Sequence, residues 1–458
     1  MTRRPRPRSK ILGSLVALTL LLPALASAQT TPAPVLPAQP SASTPPPTEL
    51  KPVLVGPARE LKLGDNTWFR FGAQVQGWYK ANQDRIKQPD GSDGGYQLDF
   101  FCRRCRLWAT GSVVKDVVFN ILFEASNLGK ADATGAKSFA APQFLDAYVQ
   151  GKFADYFLLS VGNILLPLTR NGTQPTTTYL SLDNANVDVT PVLQGNSAVL
   201  RDLGIQANGF FLEDHLEYRL GAFQGSRAGP TATQTAGHNG PRVVAMLQYN
   251  LWDTEKGYVN GGHYFGTKQV VGVFASFDYQ TLRKADPVLG GSAGAGVPKN
   301  AYLGLSAAAF INYPLSGKEA KGGDEIVGLV QYGMYDGGMV DPAAAAGTAA
   351  PTYPNVLKQT NLLIEAAYYN KSLTASVFGK YEFRAIDGGY SDAVKAASNV
   401  NWIALGFKYY FAPANLYNIG LQFERTTFGD ANLGLATGAT AKQEAINSLA
   451  LQVQMVLY

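Results

Sequence analysis

Along residues 447–458 the apolar side chains Leu449, Leu451, Val453, Met455 and Leu457 fall on one parity, and Gln452 and Gln454 fall on the other. A period of two belongs to a β-strand with one face in an apolar medium and one in a wet medium. Tyr458 is out of phase with the leucines. A strand running to the last residue has no later segment to pair with, so its partner is expected earlier in the chain. That requirement suits a closed sheet.

The same alternation recurs from Trp68 onward. The first strand sets Arg70, Gln74 and Gln76 against Phe69, Phe71, Ala73 and Val75. A later one sets His215, Glu217 and Arg219 against Leu216, Tyr218 and Leu220, and another sets Lys380, Glu382 and Arg384 against Val377, Tyr381 and Phe383. Sixteen such candidates follow one another. Short joints such as Ala154-Asp155, Leu212-Glu213 and Asn370-Lys371 alternate with long polar ones, the longest being Ile164 to Val199. Two joints, after the eighth and tenth candidates, are longer than this rule asks, and the ninth strand is placed at Tyr264–Gln280.

Short turns at one end and long loops at the other are the habit of outer-membrane barrels. The expected fold is therefore all-β, a 16-stranded antiparallel transmembrane β-barrel with short periplasmic turns and long extracellular loops. A barrel in lipid must close, because an open edge would leave amides unpaired in hydrocarbon. At sixteen strands its own side chains do not fill the middle, which leaves an aqueous channel. Tyr79, Phe153, Tyr249, Tyr335, Tyr369, Tyr409, Tyr410 and Phe411 lie near strand ends and are expected to form aromatic girdles.

Residues 1–28 read as a signal peptide. Arg3, Arg4, Arg6, Arg8 and Lys10 head an apolar stretch, and Ala26-Ser27-Ala28 offers small residues for cleavage. The formal charge of +5 comes from this segment, since 39 basic residues less these five leaves 34 against 34 acidic ones. The mature chain is balanced, so charge gives no argument for nucleic acid. Residues 29–64, rich in Pro, Ala and Thr, are expected to be a periplasmic linker, and 65–458 the barrel domain.

A lumen this wide needs narrowing to select. Residues 164–199 are the candidate constriction loop, with Arg170 near its start and Asp183 and Asp188 further on. The pore-lining candidates are Arg70, Arg104, Arg106, Glu124, Asp146, Lys152, Arg170, Arg219, Arg242, Lys380, Arg384 and Lys408, with Glu217, Asp278, Glu365, Glu382 and Glu424 as further acidic positions. Opposed basic and acidic strips at a constriction would set a field across the pore, whereas an unopposed basic cluster would favour anions.

The segments Phe100-Phe-Cys-Arg-Arg-Cys-Arg-Leu-Trp-Ala-Thr-Gly111 and Leu159-Ser-Val-Gly-Asn-Ile-Leu-Leu-Pro-Leu-Thr169, together with the signal peptide, resemble the phosphate-selective porin O and P family. The resemblance runs over roughly Trp68 to Tyr458. It implies a sixteen-stranded outer-membrane barrel, usually trimeric, that passes anions or small solutes by diffusion past a ladder of inner arginines. Arg104 and Arg106 match arginines of the family's second strand. The loop here lacks the basic cluster that binds phosphate in that family, so the resemblance speaks for a porin more than for phosphate.

Cys102 and Cys105 lie within one expected strand, where their side chains point to opposite faces, so a disulfide is not expected without a bulge. His215, His238 and His263 sit on distant segments, which gives no metal set. No phosphate loop occurs, and no enzyme activity or cofactor is expected. The expected function is passive diffusion of small hydrophilic solutes or ions across the outer membrane of a Gram-negative bacterium, with an anion preference as the finer expectation. The expected partners are outer-membrane lipid, lipopolysaccharide and two further copies of the chain. The alternative is a structural or adhesive barrel that does not transport.

Overall fold

A computed structural model describes residues 60–457 apart from 133–134, 138, 140, 190–199, 227–239, 284–298, 320–321, 338–355, 388–391, 413–415, 431 and 433–440. The signal peptide, the linker up to Arg59 and Tyr458 lie outside the described residues.

A three-residue strand, β1 (Glu60–Lys62), precedes sixteen longer ones. These are β2 (Trp68–Gln83), β3 (Tyr96–Val114), β4 (Val117–Leu128), β5 (Gln143–Ala154), β6 (Phe157–Leu165), β7 (Arg201–Phe211), β8 (Leu216–Phe223) and β9 (Arg242–Asn250). The second half is β10 (Val270–Arg283), β11 (Lys299–Pro314), β12 (Glu325–Asp336), β13 (Gln359–Asn370), β14 (Ala375–Ile386), β15 (Val400–Ala412), β16 (Tyr417–Phe428) and β17 (Ala445–Leu457). Two short helices, α1 (Asn186–Val189) and α2 (Asp392–Ser398), stand in the loops after β6 and β14.

Each strand from β2 to β17 pairs antiparallel with the next, and β17 pairs with β2, from Ser448 opposite Asn82 to Leu457 opposite Ala73. The ring of sixteen is closed. β1 lies outside it, pairing with the start of β2 through Glu60 opposite Arg70. The tail of the expected linker thus carries a short strand, and Glu60 and Arg70 form an ion pair there at 2.7 Å.

The ring is inside-out relative to a soluble barrel. In β17, Ala450, Gln452, Gln454 and Val456 are buried, while Leu449, Leu451, Val453, Met455 and Leu457 face outward. Exposed Val75, Tyr79, Leu107, Val149, Ile205, Val330, Leu405 and Phe423 continue this outer belt. Such a surface is stable only against hydrocarbon. Of the expected girdle, Tyr79, Phe153, Tyr249, Tyr409 and Phe411 face outward, but Tyr335, Tyr369 and Tyr410 are buried inside. Tyr369 and Tyr410 face inward because they share the parity of buried Glu365 and Lys408, and there Phe265 and His263 make edge-on ring contacts with them, Phe265 at 4.9 and 5.2 Å between ring centres.

Two expectations are corrected. Cys102 and Cys105 form a disulfide. Arg103 is an extra residue relative to β2, since Gln76 pairs with Arg104 but Gly77 pairs with Cys102. This bulge resets the parity of β3, so both cysteines stand beside outward positions, Cys105 opposite Val75 and Cys102 opposite Gly77. The second correction concerns residues 264–269. They do not begin a strand. They finish a 19-residue connection, 251–269, between β9 and β10.

Candidate functional site

The lumen is the candidate site, and it is occupied by the chain's own segments. Residues 166–189, from the connection after β6, lie inside the ring; 190–199 lie outside the described residues. The segment is fixed through its backbone by side chains that the strands aim inward. Ser181 N donates to Glu365 Oε1 at 3.0 Å, Leu182 N to Gln422 Oε1 at 3.1 Å, Val187 N to Glu382 Oε2 at 2.9 Å and Asn171 N to Gln331 Oε1 at 3.0 Å. Lys408 Nζ donates to the carbonyls of Tyr179 and Ser181 at 2.5 and 2.8 Å. A buried loop must find partners for its amides and carbonyls, and here β12 to β16 supply them.

Apolar contact adds to this. Ala185 and Val187 pack on Met246, Phe274, Ala308, Phe310, Leu329 and Leu363 of the inner wall. Leu180 and Leu182 pack with Trp78, Phe101, Val327 and Phe378. Burying a side chain of this size stabilises by about 1.5–3 kcal/mol. The segment is therefore bound to the wall rather than free in the channel.

The charged candidates are mostly paired. Arg104 meets Asp183 and donates to Gln76 Oε1 at 2.8 Å. Arg106 is paired with Glu124 and donates to Thr176 Oγ1 at 2.6 Å. Asp146 accepts from Arg201 at 3.3 Å and from the Tyr258 hydroxyl at 3.0 Å. Arg170 lies 2.8 Å from Glu255 and 3.9 Å over the Phe310 ring centre. Arg219 pairs with Glu217 at 2.7 Å, Arg242 with Asp278 at 2.5 Å and Lys380 with Glu382 at 2.7 Å. Carboxylate partners and hydrogen bonds are what permit these charges to be buried.

Three of the candidates lie away from this centre. Arg70 is bonded to Glu60 and exposed. Lys152 is exposed and bonded to Asp155 at 2.6 Å, next to a short turn. Arg384 donates to the Ser398 carbonyl at 2.8 Å, near the loop that carries α2. Sequence reading missed Arg103 as a lining residue, because strict alternation aims it outward. The bulge turns it in, and Arg103 Nε donates to Asp183 Oδ2 at 2.8 Å.

Two inner strips follow. On β3 and the end of β4, Arg103, Arg104 and Arg106 face Asp183 and Glu124. Lys80 is near, and so is Lys130, whose ammonium is held below its ordinary value by burial and then by Lys80 and Arg103. This side carries more positive than negative charge. On β13 to β16 the inward groups are Glu365, Glu382 and Glu424 with Lys380 and Lys408. No group of three or more His, Cys, Asp or Glu residues is placed to hold a metal ion among the described residues.

A closed sixteen-stranded ring with an apolar outside, a polar inside and a loop lying within it defines an outer-membrane barrel of the porin type. Residues 73–251 match the family Phosphate-selective porin O and P, which supports assigning the chain to that porin family. This places the protein in the outer membrane of a Gram-negative bacterium. Among solved structures, OmpF of Salmonella typhi, in complex with daunomycin, is 11% identical, covering 87% of this chain and 100% of that one with a TM-score of 0.53. OprB of Pseudomonas putida is 8% identical, covering 84% and 94% with a TM-score of 0.50. At such identities the likeness is one of fold. No curated protein sequence matches the chain.

Proposed function

We propose that the protein is a passive diffusion channel for small hydrophilic solutes or ions. The observation that carries this reading is the combination of a lipid-type outer surface with an inner wall bearing Gln74, Gln76, Arg104, Glu124, Arg219 and Glu365. Of the expected constriction loop 164–199, residues 166–189 lie within the ring and act as the constriction. The test is purified protein in a planar bilayer. Stepwise openings are expected; folded protein that never opens would favour the structural or adhesive alternative.

A modest anion preference belongs to this proposal. The β3 strip has an excess of positive charge, but its arginines share carboxylates, so strong phosphate binding has no support from the loop. Reversal potentials in a KCl gradient check this, and a cation preference would overturn it. A homotrimer completes the reading. Crossing hydrocarbon takes about 9–11 residues per strand, and β6, β8 and β9 have 9, 8 and 9 residues. This low side of the wall is best covered by a neighbouring copy. The mass of the protein in detergent, measured by light scattering, should be three chains; a single chain would refute the trimer.

A further inference from the structure

Among the connections at the turn end, 115–116, 155–156, 212–215, 371–374 and 413–416 are two to four residues long, and 315–324 is ten. The connection 251–269 is nineteen. Its first part stays at the turn end, where Asp253 and Lys256 pair with Lys318 and Asp214 of neighbouring turns. Glu255, Asn260 and His263 are 2%, 1% and 4% exposed, so these residues of the segment are folded back into the barrel.

Inside, it meets the loop that enters from the opposite end. Arg170 of the loop pairs with Glu255 at 2.8 Å, and each side chain is 1% exposed. Asn260 N donates to the Thr173 carbonyl at 3.2 Å, and Gly262 N to Thr178 Oγ1 at 3.0 Å. The Tyr258 hydroxyl accepts from Leu165 N at 2.5 Å and donates to Asp146. Arg219 reaches from β8 to the carbonyls of Gly257 and Tyr258 at 3.0 and 2.8 Å.

The returning end is tied to the rim. Glu325, at the start of β12, receives Phe265 N at 2.7 Å, Tyr264 N at 3.2 Å and Asn312 Nδ2 at 3.3 Å, and meets His263 Nδ1 at 2.5 Å. A turn with no task would not bury an ion pair and a carboxylate with this many partners, since desolvating them is costly unless each is satisfied. The seam is also close. A methyl group on Gly262 would come within 2.4 Å of the Thr178 carbonyl oxygen.

We infer that the 251–269 segment is a second constriction element, meeting residues 170–178 along a common seam, so that conductance is set jointly from both ends of the barrel. This rests on the diffusion-channel reading. Gly262 is the positioning residue of the seam, because only a glycine admits the Thr178 backbone there.

The test uses the full chain in planar bilayers. Gly262→Ala is expected to part the seam and raise single-channel conductance. Independently, Val259→Cys supplies a single free thiol on the segment, since both native cysteines are in the disulfide. A charged methanethiosulfonate is expected to cause a stepwise loss of current in this variant. Leu212→Cys, on an exposed short turn at the same end, serves as the control and should show none. If wild-type channels open but Val259→Cys current is unchanged after modification confirmed by mass, the inference is overturned and the porin reading stands. A Val259→Cys thiol that cannot be modified overturns it equally. If wild-type protein never opens, the porin reading fails and takes this inference with it. Should Gly262→Ala fail to fold, the thiol result alone decides.

Discussion

At the scale of single residues, the charges around Asp183 are expected to decide what an ion meets. Arg103 and Arg104 share that one carboxylate. An ion passing about 7 Å from one unit charge in bulk-like water feels about 0.6 kcal/mol, roughly a threefold change in local occupancy before salt screening. Asp183→Asn should therefore shift reversal potentials toward anions by up to about that factor in the permeability ratio. Arg104→Ala together with Arg106→Ala should shift them toward cations; unchanged potentials in both cases would remove these residues from the ion path. The cysteine pair acts on the same spot indirectly, because the bulge it spans is what aims Arg103 inward. A disulfide closing so short a loop is worth roughly 2 kcal/mol in the chain-entropy account. Replacing both cysteines by serine should lower the temperature at which the folded barrel opens in detergent.

At the scale of elements, β17 shows how much the sequence disclosed. Its period-two pattern identified the outward leucines and inward glutamines correctly, since a strand between lipid and water must segregate them. Leu451→Arg, on the outward face, should destabilise the barrel by about 2–4 kcal/mol if it lies near the bilayer midplane, read from urea unfolding in lipid vesicles. Alternation failed where pairing is not one to one. The Arg103 bulge brought Cys102 to the same outward face as Cys105, and nothing local announces an extra residue. It failed again at Tyr264 and Phe265, whose aromatic character suggests a strand, although their backbone amides are taken by Glu325 across the rim. The inner wall was also misjudged in part. Phe274, Phe310 and Leu363 are buried there because the loop brings Ala185 and Val187 to cover them, a tertiary match that no single strand encodes.

The short turns carry a pH signature of their own. Asp324 accepts from Lys371 N at 2.8 Å, Tyr368 Oη at 2.8 Å and Asn370 Nδ2 at 3.2 Å. The backbone bond from Lys371, then the Tyr368 hydroxyl, hold its carboxyl below the ordinary value. A depressed folded value means that the contribution is present above the unfolded value near 4 and is lost as pH falls through the lower folded one. Asp324→Asn should flatten the stability profile below about pH 4, measured by acid unfolding; an identical profile would rule this out.

At the scale of the whole molecule, closure is the property on which everything else depends. Removing residues 448–457 would leave β16 and β2 with unpaired edges inside hydrocarbon, each orphaned amide costing several kcal/mol. No heat-modifiable folded band is expected from such a chain on cold gel electrophoresis. The position of the disulfide adds an order of events to this picture. Thiol oxidation proceeds through an ionic thiolate, and an acyl-chain environment suppresses ionisation. Cys102 and Cys105 stand on the side of β3 that ends up against acyl chains, so their bond is expected to form while the segment is still bathed by the oxidising periplasm. A chain delivered in the reduced state is expected to insert without that covalent clamp across the Arg103 bulge.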